Sequence, residues 1–340
     1  MTQRKHSYDI KNILIAGGAG FMGSHLCDEL VQKNRVICVD DFSTGTIENI
    51  NHLLQHPNFK FIRHDFHEPL DLERFPELVP FQITFQGIQE IYNLACPTSP
   101  REYAKLPIET LRANAFASYF LLELAAKYDA KYLLASSSAV YGEPVNDQPF
   151  REDYWGFIDP VGPRSCYNEG KRFAESLTMN YRTHRKVDAK VARVFNTFGP
   201  RMRLTDGRLV PNLVSAAIEN TPMQISGKPD ATSTFCYISD MVDGLVKFMA
   251  SSQGGPMNLG SDAAIPLVEV AEKILAITKS SSSIEHVEPS PFTHRQGVPD
   301  IRLAKEHLGW FPTVSLDDGL TQTIDAMRGS RVLSYQPETE

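Results

Sequence analysis

Apolar positions in the N-terminal half of the chain come in short runs separated by amphipathic stretches. Asn12–Ala16 has the length and character of a buried parallel strand. A glycine-rich turn, Gly17 to Gly23, follows it, and Ser24–Gln32 then predicts a helix. The next apolar run, Val36–Val39, ends at Asp40, and Phe59–Ile62 and Glu90–Ala95 predict two further strands. Another strand begins at Tyr132 and ends in the serines 136–138. Alternation of strand and helix predicts an α/β chain with a Rossmann-type, doubly wound parallel sheet.

Two stretches depart from this simple pattern. Thr110–Lys127 carries Leu111, Phe116, Tyr119, Phe120, Leu121, Leu122 and Leu124, so it predicts a helix with two faces to bury. Pro69–Gln89 is longer than a strand connection requires, and Pro76 and Pro80 break any continuous helix. It is expected to be a surface excursion without chemistry. Farther on, Val268–Thr278 predicts a helix and Ile284–Val287 a strand, with the serines 280–283 as linker.

Composition narrows the class. With 42% hydrophobic and 22% charged residues, the 340-residue chain has the balance of a soluble globular protein. A net charge of -7 without a long basic run argues against nucleic acid as partner. The five cysteines are scattered and form no Cys-x-x-Cys pair, which suits reduced thiols in a cytoplasm and argues against a disulfide framework or a metal site. The run Ile13–Ala16 is far too short for a signal or a membrane segment, so no membrane partner is expected.

The first strand–turn–helix unit has the pattern of a dinucleotide site. Glycines let the backbone turn tightly and approach a pyrophosphate at a helix N-terminus. Asp40 ends the second strand, where a carboxylate accepts both hydroxyls of an adenosine ribose and repels a 2′-phosphate. NAD is therefore expected in preference to NADP. Tyr167 and Lys171 are four residues apart, so on a helix they share a face. The ammonium is expected to favour phenolate and lower the Tyr167 pKa towards that of a general base.

The spacing Gly17-x-x-Gly20-x-x-Gly23, with Ser137 before Val140-Tyr141-Gly142 and the Tyr167/Lys171 pair, resembles the extended short-chain dehydrogenase/reductases. That resemblance implies NAD held by Gly17, Gly20, Phe21, Met22, Gly23, Asp40, Asp65, Phe66, Leu94 and Ala95. It implies Tyr167 as acid/base, Lys171 as its tuner and ribose anchor, and Ser137 as the group orienting the substrate alcohol. It implies seven strands and a smaller α/β C-terminal substrate domain. The expected division is 1–193 for the NAD domain, with return segments around 235–250, then 194–330 for mainly the substrate domain and 331–340 as a tail. It also implies a homodimer packed through the 110–127 and Tyr167 helices.

Narrower stretches, Glu152 to Glu175, Val191 to Val210 and Cys236 to Leu245, resemble UDP-glucuronate decarboxylases. They imply a UDP-linked sugar as substrate, with Ser138, Asn196, Arg201, Arg208 and Arg295 as its contacts. The chain departs from that family at three places. Ala139 stands where a glutamate assists at sugar C5, and Ser233 and Gly297 stand where arginines are expected. Decarboxylation after C4 oxidation is the leading reading and 4-epimerisation the runner-up. A 4,6-dehydratase, a net dehydrogenase and a non-catalytic binding protein remain behind them. His64 and His67, beside Asp65 and Glu68, read as solvated or capping residues. Cys166 is expected to point away from Tyr167, as sequence neighbours on a helix do.

Overall fold

The computed structural model describes residues 9–146, 148–205, 207–289 and 297–334. Its centre is a seven-stranded parallel sheet. Six strands are β1 (Asn12–Ala16), β2 (Arg35–Asp40), β3 (Phe59–Arg63), β4 (Glu90–Asn93), β5 (Lys131–Ser137) and β6 (Ala189–Val194). The seventh is Pro256–Leu259, and the order runs from it through β6, β5, β4, β1 and β2 to β3. Successive residues of β1 alternate between two cores: Ile13 and Ile15 join one, Leu14 and Ala16 the other. A sheet buried on both faces explains why its strands read as unbroken apolar runs.

Helix α1 (Phe21–Val31) starts three residues earlier than the apolar pattern suggests, because the glycine turn closes at Gly20, its N-cap. The Pro69–Gln89 stretch corrects another expectation. It forms 3-10 turns and the short helix α2 (Ile83–Gln86), yet buries Leu70, Leu72, Leu78, Phe81 and Ile83 in the core. The Asn12 amide anchors it by donating to Phe81 O and Gly87 O. Its apolar residues follow turns of changing pitch, so no single periodicity exposes their common face.

Next come α3 (Pro100–Lys105), α4 (Pro107–Arg112), a π-helical segment Ala113–Ala117 and α5 (Ser118–Tyr128). The expected 110–127 helix is thus one longer helical run with a π turn inside it. Helix α6 (Ser165–His184) packs beside α4 and α5. Beyond β6, α7 (Leu209–Glu219) packs with the Leu267–Thr278 helix, and Met223–Ser226 pairs in parallel with Ile284–Val287. Helix α8 (Ile238–Ala250) returns to the central sheet and lies against β6 and α1. Among the described residues, no helix is long and apolar enough to cross a membrane.

Candidate active site

The carboxyl ends of the parallel strands open into one cleft of about 1520 Å³. Such a crevice is where open α/β sheets take their ligands. Its floor begins at the glycine turn. Gly17 has φ +75°, and a Cβ there would strike Leu94 O at 2.7 Å. A Cβ on Gly23 would meet Gly17 O at 2.1 Å, so α1 can start this close to the turn only with glycine. The N-terminus of α1 has neither a side-chain cap nor an acidic residue in its first turn. Its free N–H groups and positive dipole end suit a diphosphate.

Asp40 lies at the far end of this floor, buried, with Oδ2 accepting from Ala19 N and Oδ1 from Phe42 N, each at 2.9 Å. Burial nevertheless raises its pKa. Gly45 closes over it, since a Cβ there would lie 2.7 Å from Asp40 Oδ1. Phe66, Leu94 and Ala95 line the same cleft, as does Asp65. Asp65 is exposed and bonds His67 Nδ1 at 3.1 Å, while His64 Nε2 meets Glu68 O. The histidines therefore engage their own loop. Among the described residues, no group of three or more ligating side chains could hold a metal ion.

The other end of the cleft is built where β5 meets α6. Ser137 closes β5 and caps the following 3-10 turn, accepting from Ala139 N at 3.2 Å. Ser137 and Tyr167 line the same part of the cleft, and the serine hydroxyl acts to lower the Tyr167 pKa. Lys171 is almost fully buried; its Nζ donates to Ala135 O at 2.9 Å and lies 5.9 Å from the centre of the Tyr167 ring. The expected lowering of the phenol pKa is reversed in the free chain. Burial pushes Tyr167 up to about 12, with Cys96 adding to the rise, while Ser137, Arg208 and Arg164 pull the other way and lose. Desolvation of a phenolate with no counter-charge in contact outweighs these cations at longer range.

A buried ion pair fixes this geometry. Arg193 Nη2 donates to Glu175 Oε2 at 2.8 Å, and Ser136 Oγ donates to Glu175 Oε1 at 2.5 Å. Glu175 lies one turn beyond Lys171 on α6, so the pair ties α6 to β5 and β6. Arg193 Nη1 also donates to Tyr141 Oη at 2.9 Å, locking the segment after Ser137. Gly170 lets α6 approach the π segment, where a Cβ would meet Asn114 Nδ2 at 2.8 Å. Asn114 is buried and donates to Thr110 O and Cys96 Sγ. A π turn inside a helix commonly marks a functional position.

The substrate-side residues divide. Ser138 and Asn196 line the cleft, and Arg208 does so while donating to Thr98 Oγ1 at 2.6 Å. Arg201 lines it too; its Nη2 donates to Asp28 at 2.6 Å, while its buried Nη1 has no hydrogen-bond partner. Arg295 and its neighbour His294 lie outside the described residues. Of the three departures, Ser233 lines the cleft. Ala139 also lines it, packed in a small cluster with Tyr103, Cys166 and Tyr167. Gly297 faces Phe150, whose ring a Cβ would strike at 2.3 Å, so packing explains the glycine.

Cys166 and Tyr167 reach different parts of Tyr103, the thiol donating to its carbonyl O at 3.7 Å and the phenol stacking on its ring. Burial raises the Cys166 thiol pKa, so it is no activated nucleophile. Sequence reading also misses Tyr103, whose ring stacks on Tyr167 at 5.1 Å and 12°. It comes from α3, far away in the chain, where no local spacing could signal the contact.

A parallel sheet with a glycine turn at one end of its cleft and a Ser–Tyr–Lys set at the other defines an extended short-chain dehydrogenase/reductase. Residues 14–323 match the family model described as GDP-mannose 4,6 dehydratase, and the chain belongs to that family. It is 43% identical to UDP-glucuronic acid decarboxylase 3 of Arabidopsis thaliana over 91% of this chain and 86% of that one. It is 41% identical to UDP-glucuronic acid decarboxylase 1 of Danio rerio over 98% and 76%. Among solved structures, UDP-glucuronic acid 4-epimerase of Bacillus cereus, in complex with UDP-glucuronic acid and NAD, superimposes with a TM-score of 0.81. Identity there is 27%, over 94% of this chain and 99% of that one.

Proposed function

We propose that this chain is an NAD-dependent UDP-glucuronate decarboxylase working through transient oxidation at sugar C4. The observation that carries the reading is that Ser137, Tyr167 and Lys171 line the same cleft as the uncapped N-terminus of α1. Gly17, Gly20, Phe21, Met22 and Gly23 would hold the NAD diphosphate, Asp40 the adenosine ribose, Asp65 and Phe66 the adenine side, and Leu94, Ala95 and Lys171 the nicotinamide half. Bound there, NAD supplies the acceptor and later the donor of the C4 hydride.

The protein's own groups handle the protons. Ser137 would hold the C4 hydroxyl against Tyr167, whose phenolate form, favoured once the positive charge of bound NAD joins that of Lys171, would take the hydroxyl proton as the C4 carbonyl forms. A C6 carboxylate is then β to a ketone, and its loss as CO2 leaves the electron pair on C5 as an enolate. Water or Ser138 protonates C5, and Tyr167 returns its proton to the C4 oxygen. None of these steps requires the glutamate that Ala139 replaces, because CO2 loss from a β-keto acid is intrinsically easy. Asn196 and Arg208 would contact the diphosphate and sugar, with residues 194–330 forming mainly the substrate domain.

The decarboxylases, at 41–43% identity, support this outcome over the epimerase at 27%. One observation favours 4-epimerisation as the second reading: Ala139 removes the acid or base that chemistry at C5 normally employs. Product NMR with UDP-glucuronate separates them, since UDP-xylose supports the proposal and UDP-galacturonate the alternative. A homodimer in the cytoplasm completes the reading. Ile108, Leu111, Phe116, Tyr119 and Phe173 leave large apolar surface exposed on the α4–α5 run and α6.

A further inference from the structure

Two side chains in the reactive end of the cleft hold polar atoms that are buried and have no hydrogen-bond partner: the Tyr103 hydroxyl, and Nε and Nη1 of Arg164. Buried polar groups are nearly always satisfied, so two orphans in one site point to a missing partner. Arg164 precedes the first residue of α6 as its N-cap, and its guanidinium carbon lies 5.9 Å from the centre of the Tyr103 ring. That ring in turn stacks on Tyr167. Both orphans therefore border the phenol that is to receive the C4 proton.

The chemistry of the missing partner follows from the donors. A guanidinium only donates, in a planar fork matched to a carboxylate. The Tyr103 hydroxyl keeps its proton, because burial holds its pKa up at about 12, and is a donor at neutral pH. Two donors, one of them a half-buried cation, call for an anionic acceptor. The NAD diphosphate has its own place at the α1 N-terminus, and the UDP diphosphate is assigned to Asn196 and Arg208, whose charge reaches Tyr103 without satisfying its hydroxyl. A sugar bound with C4 at Tyr167 has C6 as its next substituent along the ring, and only an oxidised C6 is anionic.

We infer that Tyr103 and Arg164 form the receptor for the C6 carboxylate of the sugar. The inference rests on the uronate reading above and deepens it by naming the residues that select a sugar acid over a neutral hexose. The orphaned atoms are covered in the free chain, so the guanidinium turns towards the cleft as the carboxylate enters. Because the carboxylate leaves as CO2, Arg164 selects the substrate and holds it ready, while the proton steps stay with Tyr167 and Ser138. The receptor also accounts for a pocket in which Ser233 stands where the family has an arginine.

Binding of UDP-glucuronate and of UDP-glucose to the NAD-loaded protein, measured by calorimetry, tests the inference. Arg164→Gln is expected to weaken UDP-glucuronate by about tenfold or more and UDP-glucose by much less. Arg164→Lys is expected to restore part of the difference, and Tyr103→Phe to produce a smaller loss of the same selectivity. Equal losses for both ligands, or no loss for either, overturn it. If wild-type protein forms UDP-xylose while Arg164→Gln shows no selective loss, the inference fails and the decarboxylase reading stands. If the selective loss appears without UDP-xylose, the receptor stands and the reaction assignment fails. Failure of wild-type protein to bind either ligand overturns both.

Discussion

Lys171 Nζ sits 5.9 Å from the centre of the Tyr167 ring and donates its proton to the carbonyl of Ala135. The two residues share a helix face, as their spacing requires, but the ammonium does not contact the phenol and burial decides the tyrosine's ionisation. In protein freed of NAD, phenolate absorbance from Tyr167 is therefore expected to be absent at neutral pH and to appear only towards pH 12. Subtracting the titration of Tyr167→Phe isolates the signal; a phenolate step near neutrality would contradict it. The stability sign follows. The folded pKa lies above the unfolded value of about 10, so the Tyr167 contribution is intact below about pH 10 and is lost as pH rises to about 12.

Tyr167→Phe removes the only oxygen the account uses to accept the C4 proton. Turnover of UDP-glucuronate is expected to fall by about a thousandfold or more, with NAD still bound, because the ring and its stack on Tyr103 remain. Cofactor content of the purified variant and its rate under saturating substrate check both halves. Undiminished turnover would remove Tyr167 from the mechanism.

Glu175→Gln leaves Arg193 with a buried charge and an imperfect partner. Loss of one member of such a pair is expected to cost about 3 kcal/mol, read from urea unfolding. The rate should fall as well, since the pair joins α6 to β5 and β6 beneath Ser137 and Lys171. A variant as stable and as fast as the parent would show that the pair positions nothing.

Gly23→Ala would place a methyl carbon 2.1 Å from Gly17 O. The turn must open or α1 must shift, at a cost of about 1–3 kcal/mol, and NAD should be lost before the fold is. Thermal melting with and without added NAD reads this directly: the variant should melt lower and no longer respond to the cofactor. An unchanged response would separate the glycine from cofactor binding.

Much of this arrangement is legible in the sequence, and the reasons differ by element. Buried parallel strands such as β1 announce themselves as apolar runs, and the close approach of Gly23 to Gly17 O explains why that position is glycine. Ser137, Tyr167 and Lys171 are legible because their spacing reflects one strand end and one helix face. What cannot be read is set by contacts distant in sequence. Tyr103 reaches Tyr167 from α3, and the Pro69–Gln89 stretch buries its apolar residues through turns without a fixed period. The ionisation of Tyr167 depends on how deeply those elements cover it, which local charge spacing does not encode.

In the proposed reaction the C4 hydride leaves the sugar and returns to the same sugar around loss of the C6 carboxylate. NMR of the product from C4-deuterated UDP-glucuronate tests it most directly. The expected product is UDP-xylose carrying deuterium at C4. UDP-xylose without that deuterium, or UDP-galacturonate as the product, would contradict it.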